Sequence, residues 1–220
     1  MTALEPTPRT TVRRGKDRAE YDRATIDAIL DEAFVCHAAC AVDGTVWMIP
    51  TAFGRDGDRL LLHGAAANHV LRAAAAGAEL TVTVTLVDGL VLARSVFNHS
   101  INYRSVTLFG HVTDITDPAG KEAALERIVE HMLPGRSDEA RRPNTVELAK
   151  TRVVSLPIDE ASGKVRTGGP HDDEPDLDLP VWAGVLPLRL TAGEPVADPG
   201  AGAGVSRSVN QPARWGPPTA

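Results

Sequence analysis

The stretch 34–63, FVCHAACAVDGTVWMIPTAFGRDGDRLLLH, decides the fold class. It holds three runs of β character: FVCHAACAV at 34–42, TVWMIPTAF at 45–53 and RLLLH at 59–63. Two turn signals separate them. Asp43-Gly44 suits a two-residue hairpin, whose central positions need the positive φ that Asp tolerates and Gly favours. GRDGD is the second, a glycine-containing link of hairpin length. The strands therefore follow one another as an antiparallel meander. A parallel sheet would need a crossover of about a dozen residues between strands.

Upstream, YDRATIDAILDEA at 21–33 places Ile26, Ile29 and Leu30 at helical spacing, which predicts an amphipathic helix. Downstream, AANHVLRAAAAGAE is an alanine-rich helix with Gly77 at its C-terminal stop. LTVTVTLV is a strand, and Asp88-Gly89 is read as a turn into a second strand, LVLARSVF. RSVTLFGHVTDI gives another. Asp117-Pro118 supplies an N-cap and a first helical residue. The helix after it carries Leu125, Ile128, Val129 and Met132 on one face, and Pro134-Gly135 ends it. TVELAKTRVVSLPI reads as a short helix and a strand, and VWAGVLPLRL as the last strand. About seven short strands with few helices predict a mainly β fold, a closed or nearly closed barrel with flanking helices. The expected organisation is a loose arm at 1–20, one domain at 21–190 and a disordered tail at 191–220. Ten of the 28 residues from Gly193 onward are Gly or Pro, a composition that cannot build a core.

The bulk properties exclude several classes. A net charge of -6 opposes general nucleic-acid binding. RTTVRRGKDR is locally basic but reads as a solvated segment. No apolar run reaches the ~18 residues of a membrane helix, and the start lacks a secretory core, so a cytoplasmic protein is expected. Cys36, His37 and Cys40 have no second ligand pair for zinc, and the two cysteines share a strand face; they read as free core thiols. No phosphate loop, dinucleotide glycine fingerprint, nucleophile elbow or HExxH motif is present.

The polar run inside RSVFNHSINYRSVTLFGHV, residues 94–112, then needs a reason. A phosphate dianion suits an arginine fork, hydroxyl donors and backbone N–H groups converging on one point. Tyr103, Arg104 and Ser105 stand at the mouth of a strand. His63, Gly64, Asn68 and His69 stand where a strand passes into a helix, whose N-terminus would add N–H groups and a positive dipole end. The alternative is a set of surface hydrogen bonds around a turn.

The order of Pro50, LLHGAAANHV, VTVTLVDGLVLARS, HSINYRSVTLFG and VWAGVLPL resembles the flavin-nucleotide-binding branch of the pyridoxamine 5'-phosphate oxidase-related family. The nitroimidazole-reductase-like proteins belong to the same superfamily. The resemblance covers roughly Val12 to Leu190 and implies a split β-barrel, a homodimer and FMN in a cleft at the subunit interface. By position it implies that Pro50 and Thr51 line the flavin ring, with His63 and Gly64 along the ribityl chain. Asn68 and His69 would lie near the phosphate. Ser95, Tyr103, Arg104 and Ser105 would flank the flavin, and Trp182 would close the cleft. Two departures matter. The turn after His63-Gly64 has Asn68 and His69 where many relatives have Lys or Arg, which shifts phosphate neutralisation to Arg104 or Arg72. The Arg- and Trp-containing C-terminal signature used for vitamin B6 substrates is absent.

The implied activity is that of an FMN-dependent oxidoreductase acting on a small molecule, in which flavin chemistry needs no strong protein acid or base. His99, or else His63, could donate a proton to the reduced substrate. The alternative is a module that holds flavin, haem or a deazaflavin coenzyme without turnover.

Overall fold

The chain reverses between strands Val35–Val42 and Thr45–Asp56 at Asp43 and Gly44, whose φ values are 50° and 76°. This is the hairpin that the Asp-Gly pair predicts. The computed structural model describes residues 3–202 and 204–210, and among them holds ten strands where about seven were expected. In chain order the elements begin β1 (Ala19–Glu20), α1 (Arg23–Glu32), β2 (Val35–Val42), β3 (Thr45–Asp56), β4 (Arg59–Ala65) and α2 (His69–Ala75). They continue β5 (Leu80–Leu92), β6 (Ser100–Gly110), β7 (Thr113–Ile115), α3 (Pro118–Met132), α4 (Arg136–Glu139) and α5 (Thr145–Lys150). The last are β8 (Thr151–Pro157), β9 (Glu160–Arg166), β10 (Gly184–Pro187) and α6 (Arg207–Asn210).

Two compact units form. One comprises Met1–Ala33, Thr83–Thr107 and Ala161–Arg189; the other Phe34–Val82, Leu108–Glu160 and Leu190–Ala220. In the first, the strands run β1-β9-β6-β5, and β10 pairs antiparallel with β5. Asp88-Gly89 is not the turn expected from sequence, because β5 continues through it. Gly89 instead gives β10 room: a Cβ there would meet the Leu186 carbonyl oxygen at 3.0 Å. Residues 3–20, read as a loose arm, carry a bridge from Ala3 to Asp22. The Tyr21 hydroxyl donates to the Thr10 carbonyl at 2.9 Å and accepts from Val12 N–H at 2.9 Å. Strand β9 has no sequence signal of its own, since EASGKVR lacks the β-branched alternation that marks β5.

In the second unit the order is β2-β3-β4-β8-β7, with antiparallel pairs throughout. Pro50 lies in β3 opposite His37, ahead of the Phe53–Asp56 stretch that pairs with β4. There its missing N–H interrupts no ladder on the far side. Helix α3 starts at Asp117, which accepts from Gly120 N–H at 2.7 Å, and buries Ala124 and Ile128 on Leu61 and Val153. Helix α5 carries a full capping box, Asn144 with Glu147. Within the tail at 191–220, Ala203 and residues 211–220 lie outside the described residues. The short α6 docks through Ser208 N–H, which donates to Glu139 Oε1 at 3.1 Å.

Cys36 and Cys40 are both free and buried. Burial pushes the Cys36 thiol up to about 12 and raises Cys40 as well. Because the thiolate is the reactive form, neither should react with iodoacetamide at pH 8 in the folded protein. Both should react after unfolding in guanidinium. Mass spectrometry of the alkylated chain checks this, and rapid native labelling of Cys36 would contradict its place in the core.

Candidate functional site

The second unit gathers one set of expected residues. Thr51 sits on β3, and its hydroxyl lies 3.2 Å from the Ala52 carbonyl oxygen and 3.5 Å from that of His63. His63 and Gly64 follow on β4, paired with Val153 and Arg152. Gly64 is required by closeness: a Cβ there would meet Leu71 Cδ1 at 3.0 Å and Asn68 Nδ2 at 3.3 Å. Asn68 is the N-cap of α2, accepting from Leu71 N–H at 3.0 Å. The Asn68 side-chain oxygen thus takes the Leu71 N–H, one of the donors that was expected to be offered to a phosphate, and α2 has only 7 residues. The His69 ring packs edge-on against Trp47, centroids 4.7 Å apart, and Pro50 is exposed.

His63 is the anomaly of this group. Its Nδ1 is buried and has no hydrogen-bond partner, and burial lowers the pKa of the ring. A buried polar atom without a partner costs about 1–3 kcal/mol, so this nitrogen fits a ligand that supplies the missing bond. The pH consequence has a definite sign. The unfolded chain takes up a proton near pH 6.5 and the folded one resists it, so stability falls as pH drops below about 6.5. Melting temperatures from pH 8 to pH 5 should show a wild-type loss that is smaller in His63→Leu; identical curves would remove His63 as the cause.

The first unit holds the other set. Ser95 Oγ accepts from Phe97 N–H at 3.2 Å, and His99 Nδ1 lies 2.9 Å from the Ser95 carbonyl oxygen. The Nδ1–H tautomer satisfies that carbonyl and leaves Nε2 free on an exposed ring. Asp172 fastens the loop from below, accepting from Arg94 N–H and Nη1, each at 2.8 Å. Tyr103 is half-buried on β6, and Ser105 Oγ donates weakly to the Lys164 carbonyl at 3.5 Å. Trp182 is 67% exposed, so it is no core aromatic, and its ring lies 3.0 Å from where a Gly184 Cβ would stand.

Arg104 departs from its expected role. Its Nε and Nη2 donate to Asp88 at 2.9 and 2.7 Å, Nη2 also reaches Glu32 at 2.8 Å, and Nη1 completes the second fork on Glu32. Two carboxylates raise the guanidinium pKa and leave the group with net negative charge. An anion would be repelled there, so Arg104 is a strut between α1, β5 and β6 and not the phosphate fork. The isolated motif NYRSV could not reveal this, because Glu32 lies 72 residues away in sequence.

Sequence reasoning also missed Arg166. It is 5% exposed at the end of β9 and donates to Asn102 Oδ1 and to the carbonyls of Gly168 and Gly169 at 3.4 and 3.1 Å. Asn102 Nδ2 donates in turn to Gly168 O at 3.1 Å. Burial lowers the Arg166 pKa, nearby Arg18 lowers it further, and Tyr103 opposes both.

The fold and sequence match known proteins over most of the chain. A flavocytochrome, Anf3, from Azotobacter vinelandii is 39% identical and superposes with a TM-score of 0.88, covering 94% of this chain and 98% of that one. An FAD and haem binding protein from Mycobacterium smegmatis is 37% identical with a TM-score of 0.84, covering 89% and 97%. A Bacteroides thetaiotaomicron protein described as a 5-nitroimidazole antibiotic resistance protein shares the fold at 23% identity and a TM-score of 0.55, covering 67% and 86%. Comparison with curated proteins returned no match. The pyridoxamine 5'-phosphate oxidase family model matches residues 22–165. With mainly antiparallel strands, flanking helices and the family's split-barrel fold, this chain belongs to the pyridoxamine 5'-phosphate oxidase family.

Proposed function

We propose that this protein is a flavin- and haem-carrying oxidoreductase, with FAD in place of the FMN expected from sequence. The observation that carries the reading is its 39% and 37% identity, along nearly its whole length, to a flavocytochrome and to an FAD and haem binding protein. The residues of the second unit fit a flavin through the unpartnered His63 Nδ1, with Thr51 in contact with the His63 carbonyl and Gly64 packed against Asn68 beside it. They fit haem at His99. Its Nδ1 is turned to a backbone carbonyl, the arrangement that orients a metal-binding imidazole and raises its basicity. Val96 and Phe97, 91% and 90% exposed beside it, offer apolar cover for a porphyrin face. Bound flavin supplies two-electron chemistry, and bound haem supplies one-electron transfer. The protein's own part is to bind both groups, keep water away and hold His99 in one tautomer.

A homodimer belongs to this reading, supported by Val46 and Met48, which stand 69% and 61% exposed on β3. The visible spectrum of the purified chain tests the cofactors. Flavin absorption together with a Soret band is expected, and chromatography of the acid-released material should give FAD. Release of FMN or a deazaflavin coenzyme would replace the flavin assignment. A colourless protein that takes up neither FAD nor haemin would end the reading.

A further inference from the structure

The basic stretch near the N-terminus is placed where a solvated segment would not be. Gly15 sits at φ 65° before a 3-10 turn, Lys16–Arg18. A Cβ on Gly15 would meet Arg18 Cδ at 3.5 Å and Lys164 Cε at 3.7 Å, so both long side chains lie over this glycine. Lys164 pairs with Ala19 across β1 and β9. Arg166 follows two residues on, on the same face of β9. Three cations therefore share one corner of the first unit, on a chain whose net charge is -6.

Their charges are not balanced locally. Among the described residues, Arg166 has only neutral acceptors, namely the Asn102 amide and the Gly168 and Gly169 carbonyls. Lys164 has no carboxylate partner there, and Arg18 has only Asp17, 3.9 Å away and 81% exposed. Glu20 lies against Gly163, but its Oε1 is engaged by the Tyr21 and Asp22 N–H groups at 3.2 and 3.1 Å. A nearly buried guanidinium cannot shed its proton, and charged side chains are rarely buried without a counter-ion. An anion at this corner would complete the set. The Arg166 fork is already donating to Asn102, Gly168 and Gly169 and would add its charge from beneath. The flexible ammonium of Lys164 and the Arg18 guanidinium suit phosphate oxygens, while the acidic remainder of the chain disfavours an extended polyanion.

We infer that Arg18, Lys164 and Arg166 form a binding site for the diphosphate of a dinucleotide. Two ligands of the proposed redox function share that chemistry, FAD itself and a nicotinamide dinucleotide acting as electron donor, so the inference rests on that reading for its source. Tyr103 stands on β6 two residues before Ser105, whose hydroxyl reaches the Lys164 carbonyl. Phosphate neutralisation thus moves from Arg104, already held by two carboxylates, to this corner.

The test compares ligands with and without the diphosphate link. Because Arg166 is buried and its loss endangers folding, the variant is Arg18→Gln with Lys164→Gln, accepted only if its melting temperature matches wild type. Wild type should hold FAD more tightly than FMN, or show a lower KM for NADH than for reduced nicotinamide mononucleotide. The variant should erase one of these preferences by about tenfold or more. Loss of the FAD preference names the flavin as the source, and loss of the NADH preference names the donor. Both preferences unchanged would overturn the site. If the protein holds no flavin and shows no NADH turnover, calorimetry with inorganic pyrophosphate decides. Binding to wild type that is lost in the double variant keeps the site while the flavin reading falls; no binding to wild type ends the inference.

Discussion

The His99→Ala protein is expected to purify without its Soret band while keeping FAD at the wild-type ratio. The 3-10 turn at Val96–Asn98 is held by three independent fastenings. Ser95 Oγ accepts from Phe97 N–H, Asn98 Nδ2 reaches Asp173 Oδ2 at 3.5 Å, and Asp172 grips Arg94 twice. Removing the imidazole therefore leaves the loop in place while deleting the outward Nε2 together with the Nδ1 contact to the Ser95 carbonyl. Losing even the outer partner of a metal-bound histidine lowers metal affinity by about 10–100-fold, so losing the ligand should cost more than that. Haemin titration followed at the Soret maximum measures it. His99→Gln is a useful second variant, because it keeps polarity and length but not the imidazole. An unchanged Soret band with slowed substrate reduction would return His99 to the role of proton donor, which uses the same Nε2. An unchanged band with unchanged turnover would remove His99 from both roles.

The residues that sequence made legible are those whose reasons are local. Asp43-Gly44 and Asp117-Pro118 each act over three or four residues, and each does in the structure what its chemistry predicts. Gly77 ends α2 at φ 104° for the same kind of reason, with Ala78 N–H reaching back to Ala73 O at 3.0 Å. Asp88-Gly89 carries the same dipeptide signal as Asp43-Gly44 and yet stays extended. There the glycine answers to the backbone of β10, nearly a hundred residues on. Arg104 shows the same limit at the site. NYRSV identifies a polar strand correctly, but whether its arginine meets a ligand or Glu32 and Asp88 depends on partners outside the motif. Arg166 was invisible because one arginine in an unremarkable strand becomes notable only when its burial and its lack of a carboxylate are both known.

Gly54→Ala should destabilise the second unit by about 2–3 kcal/mol, the upper part of the range for overpacking. The reason is the approach of α3 to β3. A Cβ on Gly54 would stand 2.9 Å from Ile128 Cα and 3.1 Å from both Ile128 N and Arg127 O. These are backbone atoms in mid-helix, and no rotamer change removes them. The helix must lift as a body, which opens the packing of Ile128 and Ala124 on Leu61 and Val153. The Phe53–His131 ring contact at 4.9 Å lies on the same interface. For a domain of this size the loss corresponds to a fall in melting temperature of roughly 4–12 °C, readable by circular dichroism. The sign is informative, because Gly54 is not at positive φ. Without the steric clash, a Gly→Ala change would stabilise by about 0.4–1 kcal/mol through the unfolded chain. Gly57 separates the two causes: it sits at φ 58° with nothing within 4 Å of a Cβ. Gly57→Asn should be nearly neutral, since Asn tolerates the left-handed region, whereas Gly54→Asn should be worse than Gly54→Ala. A Gly54→Ala protein as stable as wild type would show that α3 does not rest on the β3 backbone, and the packing of this unit would have to be redrawn.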